Sequence, residues 1–284
     1  MNILSLDIEE WFHILDNTST KDEADWLKYP SRIHKNMDRI FDLLDRTNTR
    51  ASFFVLGWIA EKYPEVVKEI VANGYDIGSH SMFHQLVYEQ DKLKFREDLK
   101  RSIHTLEDLS GKKIQLYRAP GFSITEQTKW AFEELVDIGI TIDSSIFPAN
   151  RGHGGFPSYG EACPSIIDVN GVQLKEFPIN TVKLAGKNVI FSGGGYFRIA
   201  PYSVVRKWTK SSEYVMTYFH PRDLDPEQPM IKDLALPRKF KSYVGLHKCE
   251  AKLEKWLTEF EFIDISEAEK RVDWQKAKII KLDV

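Results

Sequence analysis

Four side chains near the start of the sequence have the types and spacing of a metal-dependent hydrolase. Asp7 and Glu9 sit two apart in Ser5-Leu6-Asp7-Ile8-Glu9-Glu10-Trp11, and His80 and His84 sit four apart in Gly78-Ser79-His80-Ser81-Met82-Phe83-His84. Catalytic zinc usually takes three protein ligands and keeps one position open for water, and histidines four apart on a helical turn can face one ion. Two imidazoles and one carboxylate complete such a set and leave the second carboxylate free to act as a base. Alternation along an extended segment puts Asp7 and Glu9 on one side and turns Glu10 away. Glu10 is the rival ligand if the strand ends before it.

Three further residues could take part. Arg118, in Tyr117-Arg118-Ala119-Pro120-Gly121-Phe122, has the planar donor fork that orients a carboxylate; an ordinary ion pair is the plainer role. His220 follows the apolar run Tyr214 to Phe219 and could protonate a leaving group near neutral pH. A hydrogen-bonded core histidine is its alternative. Asp143, in Asp143-Ser144-Ser145, could fix the tautomer of His220, or it could form an Asx turn.

Alternating strand and helix patterns position these residues. Strands are predicted at Asn2 to Ile8, Ala51 to Leu56, Tyr75 to Gly78, Ile114 to Tyr117, Ile140 to Ile142, Tyr214 to Phe219 and Phe260 to Ile265. Helices are predicted at Ser31 to Arg46 with Ser31 as its cap, from Pro64 to just before Gly74, through Leu93 to Leu109 up to Gly111, and at Glu126 to Asp137, Pro201 to Ser211 and Val244 to Glu259. This order implies an α/β chain of βα units around parallel strands, with an irregular β-rich insertion from about Phe147 to Tyr196 that contains an Asn170-Gly171 turn. Arg222 to Lys241 reads as a long βα loop. All seven chemical residues then fall at or just beyond strand C-terminal ends, the catalytic face of a barrel.

Composition agrees with one catalytic domain over residues 1–284. Hydrophobic residues make up 42% of the chain, enough for a sizeable core, and the net charge of −3 gives no electrostatic case for nucleic acid. Two isolated cysteines, Cys163 and Cys249, suggest neither a disulfide framework nor a thiolate site. The longest apolar run is too short to cross a bilayer, and acids interrupt the N-terminal segment at once. A cytoplasmic location is expected, peripheral to the membrane if the substrate is lipid-linked; the oligomeric state is not legible.

Taken in order from Asp7 to His220, the acid segment, His-Ser-x-x-His, Arg-x-Pro, Asp-Ser-Ser and the late histidine resemble the polysaccharide deacetylases. These are metal-dependent carbohydrate esterases that include chitin and peptidoglycan deacetylases. The resemblance implies a distorted (β/α) barrel of about seven strands, a divalent metal such as Zn2+, and hydrolysis of an acyl group on an amino sugar of a carbohydrate. It casts Asp7 as base, Glu9, His80 and His84 as metal ligands, Arg118 as support for the base, and Asp143 with His220 as the acid-side pair. Two departures stand out: the family's adjacent Asp-Asp is Asp-Ile-Glu-Glu here, and its Arg-Pro-Pro is Arg-Ala-Pro. The segments Asp-Ile-Glu-Glu-Trp-Phe-His and Ser192-Gly193-Gly194-Gly195-Tyr196-Phe197-Arg198 resemble a bacterial branch associated with surface-glycan synthesis. On that resemblance Trp11, Pro120, Gly121, Phe122, Gly194, Gly195, Tyr196 and Arg198 are candidates to line a substrate groove, with Arg198 meeting a phosphate or carboxylate and Phe197 a further aromatic. A deformylase or other amidase, or a non-catalytic glycan-binding protein, are the alternative functions.

Overall fold

The structure, a computed structural model, describes every residue except 16, 21, 22, 151, 185, 232, 283 and 284. Strand Ser5–Ile8 pairs in parallel with Ser52–Val55, and the row continues through Asp76–Ser79, Leu116–Tyr117, Ile142–Asp143 and Val172–Glu176. On the other side, Asn2–Ile3 pairs in parallel with Val215–Met216, and a bridge joins Leu6 to Phe219. With Asn2–Ile3 and Ser5–Ile8 counted as one strand, these make, among the described residues, the seven parallel strands of a distorted barrel. The gap between Glu176 and Val215 is spanned with few ladder bonds, through a Gly193–Tyr218 bridge and Met216 N donating to Asn180 Oδ1.

The local reasons are readable. Ser5–Ile8 and Ser52–Val55 are buried at every position, as expected for parallel strands covered on both faces. Helix Ile33–Thr47 buries Ile33, Met37, Ile40, Phe41 and Leu44 on one face and ends at Asn48 in the left-handed conformation. Helix Lys92–Ser110 starts at Asp91, whose carboxylate accepts from Lys94 N, and ends at the left-handed Gly111. Within the predicted insertion, Ser165–Val169 and Val172–Glu176 form a hairpin in which Asn170 and Gly171 both take positive φ. Its second strand is also a barrel strand.

Several expectations change. Phe260 to Ile265 forms a single bridge, Ile263 to Ile3, because Asp264 caps helix Ile265–Arg271 instead. The helix expected from Glu126 starts at Trp130, after Thr128 Oγ1 accepts from Thr125 N in a preceding turn. Helix Leu236–Tyr243 starts inside the segment expected as a loop and runs past its end, and strand Lys278–Leu282 pairs with Ser165–Val169. Helix Gly57–Lys62, too short to show a period, was not predicted.

The ladder sets the rim. Val55, Ser79, Tyr117, Asp143 and Glu176 lie in one cross-strand row. The next amides, of His80, Arg118 and Ser144, donate to the carbonyls of Val55, Ser79 and Tyr117 at 2.9 to 3.0 Å. His80 and Arg118 therefore emerge at one height.

Helix Gly57–Lys62 touches the histidine segment directly: Gly57 N and Trp58 N donate to Ser81 O and Met82 O at 2.8 and 3.0 Å. A Cβ at position 57 would lie 3.1 Å from Met82 Cα and 3.2 Å from Ser102 Cα. Gly57→Ala is expected to lower unfolding free energy by about 1–3 kcal/mol in denaturant titrations, the usual cost of overpacking. Gly152→Ala, where nothing lies within 4 Å of the new Cβ, is the control; equal stability of the two variants would contradict this close packing.

Candidate metal centre and active site

Strand Ser5–Ile8 delivers Asp7 and Glu9 to the rim, and strand Asp76–Ser79 delivers His80 and His84. One ligand atom from each of Glu9, His80 and His84 falls within 4.8 Å of the others. All three side chains are nearly enclosed by protein. His80 Nδ1 lies 2.8 Å from the carbonyl of Arg118, so it carries the proton and leaves Nε2 as the electron-pair donor. Glu9 Oε2 lies 2.6 Å from His84 Nε2 and makes no hydrogen bond. Two electron-pair donors brought this close without donor–acceptor geometry fit a shared cation. Glu10 is not part of this group: its carboxylate accepts from Ser31 Oγ, Arg32 N and Ile33 N, and thereby caps helix Ile33–Thr47 in place of Ser31.

The histidines are not on a helical turn. Ser81 and His84 adopt positive φ, 67° and 55°, which costs energy in non-glycine residues. The loop is held by Asp98, whose carboxylate accepts from Met82 N and Phe83 N at 2.8 and 3.2 Å, and by Ser81 Oγ accepting from His84 N. Burial pushes the Asp98 carboxyl up to about 6 against those amides. The sequence carries no sign of this role, because Asp98 sits within an ordinary amphipathic helix.

His220 faces both Asp7 and Glu9. Arg118 Nη1 donates to Asp7 Oδ1 at 2.7 Å, while Asp7 Oδ2 faces His220 Nε2 at 3.9 Å. Burial pushes the Asp7 carboxyl up, but the Arg118 guanidinium, with His80 and His220, outweighs it and holds Asp7 below the ordinary carboxylate range. Glu9 is likewise held low, burial being outweighed by His84. Burial pushes His220 and His80 down, the latter to about 4, so both rings are neutral at rest.

The partner of His220 differs from the one anticipated. Its Nδ1 meets Asp223 Oδ2 at 3.0 Å, and Asp223 Oδ1 accepts from Arg198. Asp143 instead accepts from Ser145 N and Oγ and lies opposite Glu176 on the next strand, and burial pushes both carboxyls up. Asp143 is on the neighbouring strand end, but its carboxylate turns back into this pair. The His-Pro-Arg-Asp spacing was the available signal: proline starts a short 3-10 turn, and an acid three residues on folds back onto the histidine.

The groove residues divide. Gly121, Phe122, Gly194, Gly195, Tyr196 and Arg198 line the cleft above the ligands, as does His13. Trp11 is core, stacked edge-on to Phe12 and Tyr29 with Nε1 donating to Pro30 O, and Phe197 packs on Phe219 and Trp256. Pro120 is buried at the start of the turn Pro120–Phe122 and does not line the cleft. Arg198 cannot serve as an anion ligand, since its fork is occupied by Asp223 and by the carbonyls of Lys241, Ser242 and Val244. His13 was missed: Glu10 N donates to its Nδ1, which leaves its Nε2 proton buried without a partner beside the ligands.

Among the described residues no helix is long and apolar enough to cross a membrane. A model of the family described as polysaccharide deacetylase matches residues 18–137, and one described as a domain of unknown function (DUF3473) matches residues 144–270. A peptidoglycan-N-acetylglucosamine deacetylase of Bacillus cereus is 35% identical over 97 residues, 34% of this chain and 35% of that one. A peptidoglycan-N-acetylmuramic acid deacetylase of Bacillus subtilis is 32% identical over 95 residues, 32% of this chain and 20% of that one. The matches thus span about a third or less of these two curated relatives. A crystal structure from Mycobacterium smegmatis, provisionally described as a polysaccharide deacetylase, superposes with a TM-score of 0.68 at 17% identity, covering 100% of this chain and 93% of that one, a likeness of fold. Residues 18–137 thus match the polysaccharide deacetylase family's own model, and the whole chain shares the fold of that Mycobacterium smegmatis protein.

Proposed function

We propose that the protein is a metal-dependent hydrolase that removes the N-acetyl group from an amino sugar of a glycan or glycan precursor. The observation that carries this reading is the approach of His220 to both carboxylates, with Nε2 at 3.9 Å from Asp7 Oδ2 and 3.7 Å from Glu9 Oε1. The names of the matched relatives supply the acyl class, N-acetylglucosamine and N-acetylmuramic acid. Glu9, His80 and His84 would hold the ion, and two imidazoles with one carboxylate favour zinc. Lewis acidity toward the acyl oxygen and the attacking water is what a bound ion supplies there.

The chain's own residues move the protons. Asp7 stays ionised because Arg118 fixes one oxygen, and Oδ2 accepts a proton from the attacking water. The water oxygen bonds to the acyl carbon. As the carbon–nitrogen bond breaks, the nitrogen takes a proton from His220 Nε2, which receives it from Asp7. The Asp223 carboxylate at Nδ1 supports the transient imidazolium, and Arg198 keeps Asp223 ionised and in place. Acetic acid and a free amine leave.

Asp7→Asn is expected to lower acetate release by about a thousand-fold or more while metal content, measured by plasma emission, stays near that of the wild type. His84→Ala is expected to lose the metal; normal metal in His84→Ala, or full turnover in Asp7→Asn, would contradict the assignment. Asp223→Asn should reduce kcat by on the order of a hundred-fold and shift the pH limb assigned to His220; an unmoved limb would remove Asp223 from the proton path.

Stability should also depend on pH. The buried His80 has a folded pKa of about 4 against 6.5 unfolded, so the unfolded chain takes up protons first as pH falls. Metal-free protein is therefore fully stabilised above about pH 6.5 and loses on the order of 3 kcal/mol toward pH 4. His13 and His220 act in the same direction. A melting temperature that is flat between pH 7 and 5 would oppose burial of neutral histidines.

A further inference from the structure

The cleft contains a cation that the proposed reaction does not use. Arg222, two residues beyond His220, is 9% exposed and lines the cleft. Among the described residues its guanidinium makes no hydrogen bond or ion pair, and Nη2 is enclosed without a partner. The ring of Tyr243 lies 6.0 Å from it, and Glu9 acts on it through space without pairing. The carboxylates nearby are committed elsewhere: Asp223 is shared by Arg198 and His220, and Glu9 faces His84. An arginine desolvated without a counter-charge is destabilising by several kcal/mol, so its retention calls for a partner that arrives from outside.

Charge around the cleft points to what that partner is. Asp7 is neutralised by Arg118 and Asp223 by Arg198, whereas Arg222 is not balanced. Lys241 adds a second positive charge at the mouth, its Nζ donating to Tyr196 Oη at 2.7 Å and lying 3.9 Å over that ring. A divalent ion on Glu9, His80 and His84 would make the cleft more positive still. Planar guanidinium forks bind carboxylate and phosphate groups in two-point fashion.

We propose that Arg222 anchors an oxyanion, a carboxylate or a phosphate, carried by the substrate beside its acylated amino sugar. This rests on the hydrolase reading above and narrows its substrate to an anionic glycan or sugar phosphate. The anion partnered by Arg222 positions the sugar and takes no part in proton transfer. It also gives the cleft the phosphate- or carboxylate-binding arginine that the sequence had suggested at Arg198, and for a structural reason: Arg198 is used to hold Asp223.

The test is calorimetric binding of three amino sugars to the zinc-loaded protein: glucosamine, muramic acid with its lactyl carboxylate, and glucosamine 1-phosphate. At least one anionic sugar is expected to bind about ten-fold or more tightly than glucosamine, with an advantage that shrinks as salt rises. The better of the two identifies whether carboxylate or phosphate is the natural group. Arg222→Gln should lose most of that advantage, and Arg222→Lys, which keeps the charge but not the fork, should retain part of it. Equal binding of neutral and anionic sugars by the wild type overturns the proposal, as does an advantage unchanged in the variants. If Arg222→Gln fails to fold, the wild-type comparison and Arg222→Lys decide. Acetate release from the N-acetylated counterparts is read in parallel: anion-dependent binding without any release would contradict the hydrolase reading and leave the anion site standing, while release without anion preference would do the reverse.

Discussion

Arg118 is the side chain on which the rest of the site depends. It is fully enclosed, and its guanidinium joins Asp7 on the first strand to Ser144 beyond the fifth, while the ring of Phe54 lies 4.2 Å beneath it. Its backbone carbonyl fixes the tautomer of His80. One residue thus sets the ionisation of the base and the electron pair offered by a metal ligand. A buried ion pair of this kind adds little net stability when complete, but removal of one partner typically costs about 3–5 kcal/mol. Its use is geometric: three strand ends are locked at one spacing.

A second line of support runs behind His220. Arg198 reaches Asp223 and three carbonyls around the end of helix Leu236–Tyr243, so the acid side of the site is tied to a helix packed over the cleft. The histidine loop is the strained part, with Ser81 and His84 at positive φ and the N-terminus of helix Gly57–Lys62 and Asp98 holding it. The ligand atoms are positioned by neighbours on other strands and helices more than by their own segment.

This division explains what was legible. Asp7, Glu9, His80, His84, Arg118 and His220 could be read because each follows an apolar strand, and strand ends share a rim whatever the loops do. The parallel order and the Asn170-Gly171 hairpin followed from period and turn chemistry in the same way. Partners were harder. Asp143 and Asp223 both lie near strand ends, and only the 3-10 turn at Pro221 decides which one meets His220. Glu9 and Glu10 separated only once the start of helix Ile33–Thr47, 23 residues further on, needed a carboxylate. Trp11 and Phe197 were placed at the rim because aromatic type does not reveal which face a residue takes. Asp98, His13 and Arg222 act across tertiary space and leave no local pattern.

The most direct measurement of the central claim is acetate release from N-acetylated amino sugars by the purified protein, followed through chelation and return of zinc. The account predicts release that disappears when the metal is stripped and returns in proportion to one zinc per chain. Release that persists in the chelated protein, or none from any acetylated sugar with the site fully loaded, would contradict it.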